Sequence, residues 1–248
     1  MFDAYFSAVD STYSRLSWAF AEPDLAGGLH STTYWHAVSM DGGFLREGPR
    51  VVQREVKAQL AAMETVYIQL LKLQALSMHP GMPIVYDTNM LNHWQQPGGI
   101  VWPTVLRQCG IKPRLVRLVI PMKVIDELDR QKYGQGDLAR KAATAIRYLD
   151  RVLSNRDSGV PVEIRKDQAT LEIWPENHSP RRDGDADLAI LDCAAEIDQL
   201  LPDARASVLT DDIGMRLRAQ QMRLRTIRLP EEYRKPGTAI GEKPSLNG

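Results

Sequence analysis

Cysteine, net charge and long apolar runs are all scarce in this chain, and each scarcity closes off a class of protein. Two cysteines, Cys109 and Cys193, are spread over 248 residues with no Cys-x-x-Cys spacing. That argues against a disulfide-stapled extracellular scaffold and fits a reducing cytoplasm. Cys193 stands in an apolar helical run and reads as a buried, inert thiol. The 31 Lys and Arg cancel the 31 Asp and Glu, a net charge of 0. No overall basic field advertises a nucleic-acid partner, so local charge has to carry that argument. No apolar run approaches the ~18 residues that span a bilayer. Met1-Phe2-Asp3 begins without the basic segment and apolar core of a secretion signal. A soluble, cytoplasmic protein with no membrane partner is expected. Gly-x-Gly-x-x-Gly cradles, Gly-Lys-Ser/Thr loops and Gly-x-Ser-x-Gly elbows are missing too, which argues against nucleotide cofactors and the serine-hydrolase elbow. His30, His36, His79, His93 and His178 lack zinc-ligand spacing with cysteine.

What is present falls into two halves and a tail. Phe2, Phe6, Val9, Tyr13, Leu16 and Phe20 recur at four-three spacing, the stripe of an amphipathic helix ended near Gly27-Gly28. A second helix is predicted over 51–78, with Val52, Val56, Leu60, Met63, Tyr67 and Leu70 on one face, broken by Pro80-Gly81. Residues 1–82 thus read as a helical N-terminal module. Its stripe needs cover from the rest of the chain, from the module itself or from a second copy. A homodimer through these helices is one such solution, because an identical face on each chain can be self-complementary. From residue 83 strands and helices alternate. Strands are predicted at 84–86, 115–120, 161–165, 170–174, 206–210 and 226–229, with helices at 101–109, 122–130, 136–154, 187–200 and 213–223. That alternation points to a three-layer α/β/α domain with a mostly parallel sheet over 83–229. The Pro- and Gly-containing tail, 230–248, is expected to be disordered.

Four acids stand where strands give way to loops or helix starts: Asp87, Glu127, Asp187 and Asp212, with Asp185 and Asp211 beside the last two. In an open parallel sheet the carboxyl ends of the strands face one crevice, so these acids would converge there. Converging carboxylates repel unless a cation holds them, which suits Mg2+ or another hard, oxygen-loving metal and phosphodiester chemistry. Each acid also has an ordinary reading. Asp87 can be a turn former, Asp185 or Asp187 a helix cap, Glu127 a surface acid and Asp211-Asp212 a helix start. Basic residues flank the acids: Lys132, Arg140, Lys141 and Arg147 after Glu127, then Arg216 and Arg218 after Asp212. Such residues neutralise phosphates without reading sequence, although most surface cations are simply solvated. Tyr133, Trp94 and Trp102 are candidates to stack on bases, with loop or core packing as the alternative.

The order of these segments resembles the PIN domain, a family of metal-dependent nucleases. Ile84-Val85-Tyr86-Asp87-Thr88-Asn89 is similar to its opening strand and first acid. Ile120-Pro121-Met122-Lys123-Val124-Ile125-Asp126-Glu127-Leu128 is similar to the segment of its second acid. Asp185-Ala186-Asp187-Leu188-Ala189 resembles the third, and Val208-Leu209-Thr210-Asp211-Asp212 the fourth. The resemblance implies Mg2+ or Mn2+ held by Asp87, Glu127, Asp187 and Asp212, with Asp185 and Asp211 as alternative ligands. Asn89 and Thr210 would orient ligands or water from behind. It implies a ribonuclease whose RNA substrate is held by Lys132, Arg140, Lys141, Arg147, Arg216 and Arg218. Two rivals are a non-catalytic RNA-binding or assembly module on the same fold, and a nuclease toxin.

Overall fold

The computed structural model describes residues 2–19, 29–39, 48–112, 114–154, 160–174 and 186–236. The expected break at Gly27-Gly28, His178, Asp185 and the tail beyond Pro236 lie outside them. The chain divides into two compact units, Met1–Leu76 and Ser77–Gly248.

The first unit holds α1 (Phe2–Ala19), α2 (Thr32–Ser39) and most of α3 (Gly48–Ser77). Its core is small and aromatic. Tyr5, Val9, Leu29, Tyr34 and Val52 are buried, and Phe6, Tyr13, Leu16 and Met63 pack against them. Phe6 meets Tyr34 edge-on at 5.6 Å, and Tyr13 stacks on His30 at 4.2 Å, geometries that add to simple area burial. Tyr34 Oη donates to Asp10 at 2.8 Å, and Gln59 Nε2 donates to the Leu29 carbonyl at 2.9 Å. Phe6, Val9, Tyr13 and Leu16 of the α1 stripe are therefore covered inside their own unit. Of the stripe expected on the second helix, Val52 and Met63 join this core, whereas Val56, Leu60, Tyr67 and Leu70 are exposed. Sequence reading missed α2, whose Tyr34-Trp35-His36 cluster carries too short a stripe to show periodicity.

The second unit is built on a six-stranded sheet in the order β3-β4-β2-β1-β5-β6. The strands are β1 (Met82–Tyr86), β2 (Val116–Pro121), β3 (Val162–Arg165), β4 (Ala169–Trp174), β5 (Ser207–Leu209) and β6 (Arg225–Ile227). All neighbours pair in parallel except β3, which lies antiparallel on the edge beside β4. Every residue of β1, β2 and β5 is buried, as expected of parallel strands covered on both faces. Between the strands run α4 (Thr88–His93), α5 (Trp102–Gln108), α6 (Met122–Lys132), α7 (Gly136–Leu153), α8 (Ala186–Leu200) and α9 (Ile213–Gln221). Gly81, at φ 113°, makes the bend into β1, where an added Cβ would press on the Leu115 carbonyl at 3.2 Å. Among the described residues no helix is long and apolar enough to cross a membrane.

Trp94 and Trp102 are both core residues, 2% and 0% exposed, which settles their role as packing. Trp102 Nε1 donates to the Pro97 carbonyl at 3.2 Å. Tyr133, by contrast, is 78% exposed, with the Lys132 ammonium 4.8 Å from its ring centre. Pro230 does not begin a loose tail. Residues through Pro236 run back against α4: Tyr233 is buried, Arg234 lies over Trp94 at 4.6 Å, and Lys235 Nζ donates to the Leu91 and Asn92 carbonyls. These side chains give the segment apolar and hydrogen-bonded anchors that its composition conceals.

A buried ion pair joins the neighbouring strands β2 and β4. Arg117 on β2 and Glu172 on β4 are both fully buried and hydrogen-bonded through Arg117 Nε. His79 Nδ1 meets the other Glu172 oxygen at 2.7 Å.

Candidate active site

The carboxyl ends of β1, β2 and β5 point the same way, and the chain leaves each of them into a helix. Leaving β1, Asp87 becomes the N-cap of α4. Its backbone is extended, and its Oδ1 accepts from Asn89 N–H at 3.1 Å. Here the ordinary reading and the functional one coincide, since the capping geometry also points the carboxylate across the strand ends. Asp87 is 2% exposed. Its Oδ2 accepts from Thr210 Oγ1 at 2.7 Å, and Thr210, wholly buried past β5, in turn accepts from Asp212 N–H at 3.1 Å. Thr210 Oγ1 thus holds one oxygen of the Asp87 carboxylate. Asn89 does so through its backbone, its side chain being exposed.

Glu127 stands in the second turn of α6. Its Oε2 accepts from Thr88 Oγ1 at 2.6 Å and its Oε1 from Gln131 Nε2 at 3.0 Å, while Gln131 Oε1 accepts from buried Asn92 at 2.8 Å. Thr88, Gln131 and Asn92 escaped sequence reading. The signal was helical spacing: Gln131 lies one turn beyond Glu127, and Asn92 one turn beyond Thr88.

Asp187, in the first turn of α8, is 40% exposed and accepts from Arg218 Nη1 of α9 at 3.0 Å. The Asp87 carboxyl is pushed up to about 6, chiefly by burial. The charges of Asp187 and Glu127 push it further in the same direction, against the hydrogen bonds from Thr210 and Asn89. Asp87 therefore lies in the field of both Asp187 and Glu127. The two groups bonded to Asp87, Thr210 and Asn89, are neutral donors.

The last two acids are held differently. Asp212 is the N-cap of α9, its Oδ1 accepting from Met215 N–H at 2.7 Å. Asp211 is paired with Arg228 at 2.7 Å and Arg234 at 3.0 Å. Of the candidate substrate cations, Lys132 pairs with Asp129, and Arg140 and Lys141 with Asp137. Arg147 donates to Thr144 at 3.2 Å. Arg216 Nε is buried without a hydrogen-bond partner among the described residues.

The donor set suits a hard cation: carboxylate oxygens backed by hydroxyl and amide groups, around a carboxyl that the fold makes reluctant to ionise. Among the described residues no three His, Cys, Asp or Glu side chains stand close enough to grip one ion together.

No curated protein matches the chain. Among solved structures, a domain of a functionally unknown protein from Methanocaldococcus jannaschii DSM 2661 is similar, at 19% identity and a TM-score of 0.39, over 67% of this chain and 99% of that one. Residues 84–229, from the middle of β1 to just past β6, match the model of the PIN domain, and the chain belongs to that family.

Proposed function

We propose that the second unit is a Mg2+- or Mn2+-dependent ribonuclease that hydrolyses phosphodiester bonds of cytoplasmic RNA. The observation that carries this is Asp87, a buried carboxylate bonded to neutral donors and facing two further acids. Capping α4 does not need the charge, since asparagine caps as well, and burial and like charge both disfavour the ionised form. A divalent cation makes it favourable, and when bound supplies Lewis acidity toward a phosphate and acidifies an attacking water. Asp87 and Asp187, with Glu127 behind its Thr88 and Gln131 hydrogen bonds, would hold it. Asp212 joins them at one remove, through Thr210.

The remaining residues have assignable work. Thr210 fixes the rotamer of Asp87, and Thr88 and Gln131 that of Glu127, so the carboxylates are oriented before substrate arrives. Arg216 and Arg218 on α9, and Lys132, Arg140, Lys141 and Arg147 on α6 and α7, supply phosphate contacts of the sequence-independent kind. Tyr133, exposed in the loop after α6, offers a stacking face to a base.

A second reading has its own support. The absence of three acids within direct grip among the described residues is what a PIN-fold module that binds RNA without cutting it would show. Cleavage separates the two. Wild-type protein incubated with RNA and Mg2+ or Mn2+ is expected to cut, and Asp87→Asn to be inactive while still binding. Equal rates for both, with contaminating nuclease excluded, would remove Asp87 from catalysis. Binding without cleavage by the wild type would establish the second reading.

A further inference from the structure

Among the described residues, Arg218 and Asp187 form a contact in which a candidate substrate-binding cation touches a candidate metal-binding acid. Arg218 Nη1 donates to Asp187 Oδ2 at 3.0 Å, and both side chains are half-exposed. Lys132, Arg140 and Lys141 instead pair with acids three or four residues away on their own helices. Arg218 reaches from α9 to the first turn of α8, 31 residues back in the chain, so its position is set by the tertiary fold and not by helical spacing. Arg218 thus brings positive charge to one of the acids that surround Asp87.

On the nuclease reading above, we infer that Arg218 is an exchangeable counter-ion. It neutralises Asp187 while no divalent ion is bound, is displaced from that carboxylate when one arrives, and then takes a phosphate of the RNA. The chemistry favours such a transfer. Guanidinium is a forked donor that fits carboxylate and phosphate oxygens alike. A divalent cation competes for the same Asp187 oxygens with twice the charge. Half-exposure leaves the side chain room to swing without breaking core packing. Metal binding and RNA binding are thereby coupled through one side chain, and the coupling is reciprocal.

The test uses the full chain with Arg218→Ala and Arg218→Lys, their melting curves checked against wild type. Mn2+ affinity without RNA is read by isothermal titration calorimetry. Arg218→Ala is expected to bind Mn2+ about 5- to 10-fold tighter, because the internal competitor is gone. Arg218→Lys, which keeps the charge, is expected to stay within about twofold of wild type. Binding of a single-stranded RNA is then measured against salt, once in Ca2+ and once in EDTA. In Ca2+, Arg218→Ala is expected to lose about 0.7 from the log–log slope, the share of one phosphate contact. In EDTA the slope is expected to match wild type, since Arg218 is then engaged by Asp187. Equal or weaker Mn2+ affinity in Arg218→Ala would overturn the inference, as would the same loss of slope in Ca2+ and EDTA. If wild type binds Mn2+ through Asp87 and Arg218→Ala binds it equally, the counter-ion role fails and the nuclease reading stands. If wild type binds no Mn2+, both fall.

Discussion

The sheet carries buried charge in two places, and they are handled in opposite ways. Between β2 and β4, Glu172 is wholly buried but lies against Arg117 and His79. At the carboxyl end of the sheet, Asp87 is just as deeply buried but faces Glu127 and Asp187, with only neutral donors bonded to it. One group is balanced by the chain itself. The other has no cation bonded to it among the described residues. Buried charge alone therefore does not mark a functional site; the missing counter-charge does. The same contrast separates the acids at the carboxyl end. Asp211 is already matched by Arg228 and Arg234, and Asp212, though it caps α9 as Asp87 caps α4, is exposed to solvent.

The largest effect should come from the unmatched acid. Asp87→Asn is expected to slow RNA cleavage by on the order of 10^4-fold, the scale seen when one member of a concerted set is lost. That is roughly 5 kcal/mol of barrier. Single-turnover kinetics in Mg2+ would measure it, and a loss of less than tenfold would place Asp87 outside the chemistry. The matched pair should respond in stability instead. Glu172→Ala leaves Arg117 buried without its counter-charge and is expected to cost about 3–5 kcal/mol in urea unfolding. A cost near zero would show that water reaches Arg117 and that the two regions differ less than their burial says.

The charge contrast also fixes a pH dependence. The Asp87 carboxyl lies near 6 in the folded chain against an ordinary 3.8. The folded state therefore holds this proton more tightly than the unfolded one. Its contribution to stability is greatest below about pH 4 and is lost as pH rises through about 6, by up to about 3 kcal/mol. Without divalent ions, Asp87→Asn should thus be more stable than wild type at pH 7.5 and equal to it near pH 4, with added Mg2+ narrowing the gap. A variant less stable than wild type at pH 7.5 would mean that Asp87 serves the fold more than the site.

Smaller effects test the other acids. Asp212→Ala is expected to cost about 1 kcal/mol through the lost cap, and Asp212→Asn almost nothing, because asparagine caps as well as aspartate. If Asp212→Asn abolishes cleavage at unchanged stability, Asp212 belongs with Asp87 and the division drawn among these acids fails. Asp211→Asn should be the mildest. It weakens two pairs, one of them half-exposed, for under about 1 kcal/mol of stability.

The parallel sheet was legible because Ile84 to Tyr86, Leu118 to Ile120 and Val208 to Leu209 are apolar runs closed by Asp87, Pro121 and Thr210. Asp87 and Thr210 were legible because they directly follow such runs. Thr88, Asn92 and Gln131 were not, because their importance lies in hydrogen bonds across 39 residues of chain or one helical turn, and α4 is too short to announce itself by periodicity. The grip of Arg228 and Arg234 on Asp211 was hidden for a related reason. A sequence shows where an acid stands, but not which distant cation the fold brings to it.

The most direct test of the unmatched charge is the titration of Asp87 itself, followed by the carbon-13 shift of its carboxyl in NMR. Without divalent ions it is expected to titrate near 6, and with saturating Mg2+ to fall well below that, as the cation favours the ionised form. A midpoint near 4 that ignores Mg2+ would show that Asp87 has its counter-charge within the chain and would contradict the cation site.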